Sequence, residues 1–96
     1  MKLYYTYVLT NQFKNVLYIG VTNDLVRRLQ EHIKESQTFK KTFTGKYNCI
    51  HLIYYEQFRQ PREAIAREKE LKGWTREKKL NLIKAMNPEL KFITIL

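Results

Sequence analysis

The stretch that decides the fold runs from residue 17 to residue 32: Leu17-Tyr18-Ile19-Gly20-Val21-Thr22-Asn23-Asp24-Leu25-Val26-Arg27-Arg28-Leu29-Gln30-Glu31-His32. Its first part is a short apolar strand pattern that carries a phenol and then a glycine. A helical pattern follows and places Arg28 and His32 one turn apart. A hydroxyl, a fixed positive charge and an imidazole can therefore meet near the end of one strand. That grouping suits chemistry on a phosphate.

The flanking sequence predicts a small sheet with helices packed against it. Strand patterns occupy residues 3–10, 16–21 and 50–58, and the polar stretch 11–15 indicates a hairpin between the first two. The first helix starts at Thr22 or Asn23, either of which can cap it, and runs to about Glu35. The second runs from Pro61 to Gly73, and the third covers residues 76–86 with Thr75 as its cap. The apolar residues 92–96 are expected to dock as an extended segment.

Periodicity predicts an inward face for the first and third helices. The inward residues expected on the first helix are Leu25, Val26, Leu29 and Ile33, and those on the third are Leu80, Ile83 and Met86. At 100° per residue, His32 falls on the rim of the first stripe and Arg28 beside it.

The charge balance favours a polyanionic partner. Lys and Arg number 18 against 9 Asp and Glu, which gives a formal net charge of +9. Nucleic acid is the partner that this charge predicts, while the alternative is a basic protein without such a partner. Residues 36–48 lack a clear period and are interpreted as a basic loop, with Lys40, Lys41 and Lys46 as candidate nucleic-acid contacts.

Hydropathy and cysteine usage indicate a cytoplasmic protein. No apolar run reaches the roughly 18 residues that a membrane helix needs, so no membrane partner is expected. Cys49 is the single cysteine and is predicted to be a small buried apolar residue. The reducing cytoplasm is the expected compartment.

Glu68 stands out because it lies in an apolar stripe. Ala64, Ile65 and Leu71 are spaced four and three residues from it on the second helix, so its carboxylate is predicted to face the core. One explanation is an ion pair with Lys72 at i+4. A bound divalent cation would explain both the charge and its inward placement. Asp24 is the sole aspartate, so a single Mg²⁺ held by Glu68, water and a phosphate is the simplest arrangement.

Each remaining candidate also has an ordinary interpretation. Arg28 can be a solvated charge paired with Asp24, and His32 can be a half-buried structural histidine. Tyr7 and Tyr18 can be sheet residues of the core. The order and spacing of these residues, taken together, favour a functional site.

In this order and spacing the residues resemble the GIY-YIG nuclease family, and within it the small members related to the amino-terminal nuclease domain of the UvrC repair protein. The second family motif is intact as Tyr18-Ile19-Gly20. Tyr5-Thr6-Tyr7 takes the place of Gly-Ile-Tyr in the first motif and keeps its final tyrosine. The residues that match the other family positions are Arg28, His32, Glu68 and Asn87.

The resemblance implies an α+β fold, a three-stranded antiparallel sheet flanked by helices, with residues 1–96 forming one nuclease domain. It also implies metal-dependent phosphodiester cleavage, with Mg²⁺ at Glu68 and Mn²⁺ as a substitute. Tyr7 or Tyr18 would deprotonate or orient the attacking water, although a free phenol has a pKa of about 10 and needs a nearby cation to do so. The implied roles of the other catalytic residues are charge stabilisation by Arg28, proton relay or orientation by His32, and shaping of the site by Asn87.

Three functions therefore compete. The first is a DNA endonuclease, with a part in DNA repair or recombination. The second is a nucleic-acid-binding module on the same fold with weak or lost catalysis. The third is an RNA- or ribosome-associated protein, although no aromatic ribonucleoprotein motif supports it. Specificity would come from the basic loop, a partner protein or the shape of the nucleic acid.

Overall fold

A computed structural model describes residues 2–37 and 47–95, so Lys40, Lys41 and Lys46 lie outside the described residues. The order of the described elements is β1 (Tyr4–Thr10), β2 (Leu17–Thr22), α1 (Leu25–Gln37), β3 (His51–Phe58), α2 (Pro61–Lys72) and α3 (Arg76–Met86). The predicted bounds agree with these to about two residues, the usual uncertainty at element ends. None of the described helices combines the length and the apolar character needed to cross a membrane.

The sheet has the order β2-β1-β3, and both pairings are antiparallel. The central strand β1 places Tyr7 opposite Gly20 on β2 and opposite Tyr55 on β3. The register with β3 shifts between Val8 and Leu9. This architecture confirms the predicted α+β fold with a three-stranded antiparallel sheet.

Both faces of the sheet are covered, which is why residues 6–10 of β1 are all buried. On one face Tyr7 and Leu9 pack with α1 through Leu25 and Leu29, and Cys49 is buried among them as predicted. On the other face Val8 packs with helices α2 and α3, and the members of that cluster include Ile19, Ile53, Leu71 and Ile83. The two clusters hold the sheet between layers of helix, so β1 is fixed in position from both sides.

Three predicted inward residues are exposed instead. Val26 and Ile65 are each 41% exposed, and Met86 is 78% exposed. Successive helical residues point about 100° apart, so Leu25 and Ala64, which are buried, leave their neighbours Val26 and Ile65 turned outward. Met86 is the last residue of α3 and lies beyond the cluster that Ile83 joins.

The cap of α1 also differs from the prediction. Asp24, and neither Thr22 nor Asn23, provides the side chain: its Oδ1 accepts from Arg27 N at 3.1 Å. The side chain of Thr22 instead holds the cap residue, because its Oγ1 accepts from Asp24 N at 3.1 Å. The other predicted caps are observed, with Pro61 in the first turn of α2, Gly73 at its end and Thr75 accepting from Lys78 N.

The segment after α3 docks on the sheet as predicted. Ile93 N donates to Leu52 O at 2.7 Å, and Ile93 and Ile95 pack against the Tyr7 side of the core. The ring of Phe92 stacks on His51 with centroids 3.9 Å apart. This segment thus completes the layer that α1 begins.

Candidate active site

Tyr7 and Gly20 form the base of the site. They are direct partners in the β1–β2 register, and a Cβ added to Gly20 would lie 2.4 Å from Tyr7 Oη and 2.5 Å from Tyr7 Cζ. The phenol of Tyr7 therefore lies across the space that any other residue would fill. The group that requires a glycine at this position is the side chain of Tyr7.

The hydroxyl of Tyr7 is joined to His32. Tyr7 Oη and His32 Nε2 are 2.9 Å apart in the core, and the His32 side chain is fully buried rather than at the rim of α1. Glu35 Oε2 lies 3.9 Å from His32 Nδ1 and favours a proton on that nitrogen. When Nδ1 carries the proton, Nε2 accepts from the Tyr7 hydroxyl.

Burial sets the protonation of this pair. Desolvation, aided by the charge of Arg28, lowers the pKa of His32 to about 4, so the imidazole is neutral at neutral pH. Desolvation, followed by the nearby Tyr18, raises the pKa of Tyr7. Both groups therefore stay uncharged in the resting protein, as expected for titratable groups that burial removes from water.

Tyr18 completes an aromatic cluster with these two residues. Its ring centroid lies 6.3 Å from that of Tyr7 and 5.3 Å from that of His32, within the range of favourable ring contacts. Tyr7 is 1% exposed, whereas Tyr18 is only partly buried. Of the two phenols, Tyr18 is therefore the better placed to meet a solvent molecule or substrate.

Arg28 lies beside both hydroxyls. Burial works against its charge, but hydrogen bonding to Glu31, to Tyr7 and to Tyr18 raises the pKa of Arg28 overall. Its Nη1 lies 3.0 Å from Glu31 Oε1 and 3.8 Å from Glu35 Oε1, so its acidic partners come from later turns of α1, while Asp24 caps the helix instead. The side chain remains 29% exposed and can reach an anion from solvent.

The charge of Glu68 helps to raise the pKa of Tyr7. Burial and Tyr18 raise it more, and Arg28 opposes them. The Glu68 side chain is 17% exposed, and its Oε2 is 3.4 Å from Lys72 Nζ. The ion pair considered from the sequence is therefore present. Lys72 is itself 53% exposed, so the lysine is free to swing away into solvent.

A cation at this position would depend on Glu68. Among residues 2–37 and 47–95, no group of three or more His, Cys, Asp or Glu side chains is arranged to hold a metal ion. A carboxylate with small remaining exposure suits a divalent cation that keeps several waters and binds substrate phosphate. A divalent cation here would have Glu68 as its protein ligand and would complete its shell with water and phosphate oxygens.

The contacts of Asn87 place it elsewhere in the fold. Its Nδ2 donates to Ile53 O and to Lys91 O, each at 2.9 Å, and its Oδ1 accepts from Lys91 N at 3.0 Å. These bonds join the end of α3 to β3 and to the segment that follows. The described contacts of Asn87 do not include Tyr7, Tyr18, Arg28 or Glu68, and its predicted catalytic part stays a prediction.

Sequence reasoning missed the acidic partners Glu31 and Glu35. Their i+3 and i+7 spacing from Arg28 was available as a signal, because both positions share a helix face with it. It also missed a second polar network, in which Tyr54 Oη donates to Glu56 Oε2 at 2.5 Å and Arg67 Nε donates to Glu56 Oε1 at 2.9 Å. This network joins β3 to α2 and fixes the helix that carries Glu68.

Comparison with known proteins agrees with this geometry. Residues 3–81 match the model of the GIY-YIG catalytic domain. The UPF0213 proteins of Staphylococcus aureus strains N315 and Mu50 are each 40% identical over 68 residues, which is 71% of this chain and 79% of theirs. The solution NMR structure of a UPF0213 protein from Bacillus halodurans superimposes with a TM-score of 0.57 at 25% identity, over 91% of this chain and 88% of that one. With its strands, its paired phenols and its helical arginine in place, this chain belongs to the GIY-YIG family.

Proposed function

We propose that this protein is a metal-dependent endonuclease that hydrolyses phosphodiester bonds in DNA. The observation that carries the proposal is the convergence of two phenol hydroxyls, the guanidinium of Arg28 and the imidazole of His32. Membership of a family of nuclease catalytic domains supports the same reaction class. Hydrolysis of a phosphodiester needs a placed water, a stabilised pentacoordinate phosphate and an assisted leaving oxygen, and each need has a candidate here.

Tyr18 is the candidate that meets the attacking water. It is less buried than Tyr7, and its hydroxyl interacts with the guanidinium of Arg28. A fixed positive charge beside a phenol stabilises the phenolate, which is the form that can take a proton from water. We assign Tyr18 the role of orienting the water and, as the phenolate, of taking its proton, and Arg28 the role of stabilising charge on the phosphoryl oxygens.

Tyr7 and His32 would support that step from the buried side of the site. The buried Tyr7–His32 hydrogen bond fixes the phenol that lies against Tyr18 and Arg28. With the imidazole neutral and the phenol protonated, the pair acts by its position and not by moving a proton. Its main effect is to hold the reacting groups in one geometry, which removes much of the entropic cost of reaction.

Glu68 would hold the cation, Mg²⁺ by preference and Mn²⁺ as a substitute. When bound, the ion would polarise the scissile phosphate and stabilise the leaving oxygen. Because Lys72 already pairs with Glu68 at 3.4 Å, binding requires the ammonium to leave.

DNA is the proposed substrate, and the basic charge of the chain supports it. A net charge of +9 gives salt-dependent attraction to any polyphosphate. We propose Lys40, Lys41 and Lys46 as contacts to the DNA backbone. The proposed setting is repair or recombination in the cytoplasm, with a partner protein as one source of specificity.

The test is cleavage of labelled DNA by the purified protein with Mg²⁺, with Mn²⁺ and with chelator. We expect Glu68→Gln and Arg28→Ala to lose at least about 100-fold in rate, and Glu63→Gln, an exposed acid on the same helix, to keep full activity. Equal activity in all three variants would refute the proposal, since cleavage would then come from elsewhere. DNA binding without cleavage, unchanged by Glu68→Gln, would favour the binding module, for which the Glu68–Lys72 ion pair is the supporting observation.

A further inference from the structure

A cavity of about 320 Å³ opens between β1, β3 and the start of α1. The polar and aromatic residues of its lining are Tyr5, Tyr55, Gln57, Asn23 and Asp24, and we call it the Tyr5 pocket. The volume lies within the range of small-molecule and nucleotide sites in proteins. The roles assigned above to the active-site residues use none of these side chains.

The Tyr5 pocket shares its supports with the active site. Tyr5 is two residues before Tyr7 on the same face of β1, which puts their Cα atoms about 7 Å apart. Tyr55 is the β3 partner of Tyr7. The cap residue Asp24 and the first turn of α1 line the pocket, and α1 supplies Arg28 to the active site one turn later. The pocket and the active site are therefore linked by neighbouring residues of one strand and by one turn of one helix.

The walls of the pocket are aromatic. The rings of Tyr5 and Tyr55 meet edge to face with centroids 6.1 Å apart, and both are partly exposed. Aromatic walls of this kind bind planar groups by stacking, as in proteins that bind unpaired bases.

The rim of the pocket carries hydrogen-bonding groups and a negative charge. Asn23 and Gln57 supply amides, and Asp24 supplies a carboxylate. Asn23 Oδ1 already accepts from Arg27 Nη2, which leaves its amide hydrogens as donors. Amides of this kind read the edges of bases, and a carboxylate accepts from an exocyclic amino group. The same carboxylate disfavours a phosphate, because like charges repel.

We propose that the Tyr5 pocket binds an unpaired nucleobase that bears an exocyclic amino group, next to the phosphate at the active site. The proposal rests on the proposed nuclease function, since the active site supplies the phosphate from which the base extends. Recognition by the pocket would direct the protein to single-stranded or distorted positions in its substrate. A base in a regular duplex is stacked and paired and does not reach such a pocket.

The experiment uses the intact protein with chelator and a single-stranded DNA oligonucleotide in which 2-aminopurine replaces one base at a time. The variants are Tyr5→Leu, Gln57→Ala and Asn23→Ala. The control is Gln30→Ala, which removes an exposed amide of α1 outside the pocket. We expect wild type and control to change the fluorescence of 2-aminopurine at one position. Gln57→Ala and Tyr5→Leu should weaken that signal and the affinity about tenfold.

The outcomes test base binding by the Tyr5 pocket separately from DNA cleavage. Fluorescence changes that are equal in Gln57→Ala, Asn23→Ala and Gln30→Ala would overturn the pocket, even if wild type cleaves DNA with Mg²⁺. A position-specific signal lost in the pocket variants would support it, even if no cleavage occurs. Tight binding of fully paired duplex with no preference for unpaired sites would also overturn it. If Tyr5→Leu fails to fold, Gln57→Ala and Asn23→Ala, which change exposed side chains, decide the question.

Discussion

The phenol of Tyr7 occupies the space above Gly20 that a side chain at that position would need. A Cβ there would come within 2.4 Å of Tyr7 Oη, and Tyr7 cannot retreat easily, because its ring is buried and its hydroxyl is bonded to His32 at 2.9 Å. The glycine of one strand thus sets the position of the phenol on the next. Steric fit, and not backbone freedom, explains this glycine, because its φ is not positive.

Gly20→Ala is expected to destabilise the fold by about 1–3 kcal/mol, because overpacking a tight core displaces the ring. It should also lower nuclease activity through the displaced Tyr7. Gly73→Ala is the matched control, since a Cβ there would meet Glu70 O at an ordinary 3.5 Å and should be neutral or slightly stabilising. Thermal unfolding of both variants checks the prediction, and equal stabilities would contradict it.

Tyr7→Phe and Tyr18→Phe are expected to differ. Removing the Tyr7 hydroxyl leaves a buried imidazole nitrogen without this partner, so the variant should lose about 1–3 kcal/mol of stability along with activity. Tyr18→Phe should keep its stability and lose activity about 100-fold, since its hydroxyl is proposed to act on the water. Unfolding curves and single-turnover cleavage rates measured on the same preparations compare the two. A fully active Tyr18→Phe would reassign the role to Tyr7.

Stability is expected to fall in acid because of His32. Its pKa is 6.5 in the unfolded chain and about 4 in the fold, so the unfolded state binds the proton more readily between these values. The lost stability should begin below about pH 6.5 and reach about 3 kcal/mol near pH 4. Melting temperatures across this range should depend less on pH in His32→Gln than in wild type. His51→Gln should keep most of the dependence, and a reversed order would contradict the assignment to His32.

Lys72→Met is expected to strengthen divalent-cation binding. The ammonium 3.4 Å from Glu68 Oε2 competes with a cation, but Lys72 is exposed, so the gain should be about two- to fivefold. Titration calorimetry with Mn²⁺ measures it, and Lys69→Met, which removes another exposed lysine of α2, is the control. Identical affinities in the two variants would contradict the competition between Lys72 and the cation.

Asn87→Ala is expected to act on stability. The amide makes three hydrogen bonds to the backbone of Ile53 and Lys91, so its loss should cost about 1–3 kcal/mol. Asn81→Ala, an exposed position on the same helix, should cost little. Cleavage rates measured well below the melting temperature separate the two roles. A cleavage rate that falls although the protein stays folded would support the predicted catalytic part of Asn87.

The element bounds could be predicted because their signals are local. The turn 11–15, Pro61 and Thr75 each act through neighbouring backbone, and the sequence contains everything needed to infer them. Helix faces were predicted less well, since Val26 and Ile65 are as apolar as their buried neighbours and only the position of the sheet distinguishes them. Local pattern therefore specifies that a helix forms, and tertiary packing decides which of its apolar residues is covered.

The proximity of Arg28 and His32 could be predicted, but the contact between Tyr7 and His32 could not. Arg28 and His32 share a helix, so their spacing alone brings them together. The bond between Tyr7 and His32 joins residues 25 positions apart and depends on the register of the hairpin and the angle of α1. The full burial of His32 follows from that contact, which no helical period reveals.

The docking of Ile93 on Leu52 also covers part of a sheet edge that could otherwise pair with a strand of another molecule. Strand β3 lies at the border of the sheet, where unpaired carbonyls invite a strand from another chain. The amide of Ile93 occupies one of them, and the side chains of Ile93 and Ile95 cover the apolar surface nearby. Ile93 and Ile95 thus reduce the part of this sheet edge that is open to edge-to-edge aggregation, which matters most in a domain with so short a sheet.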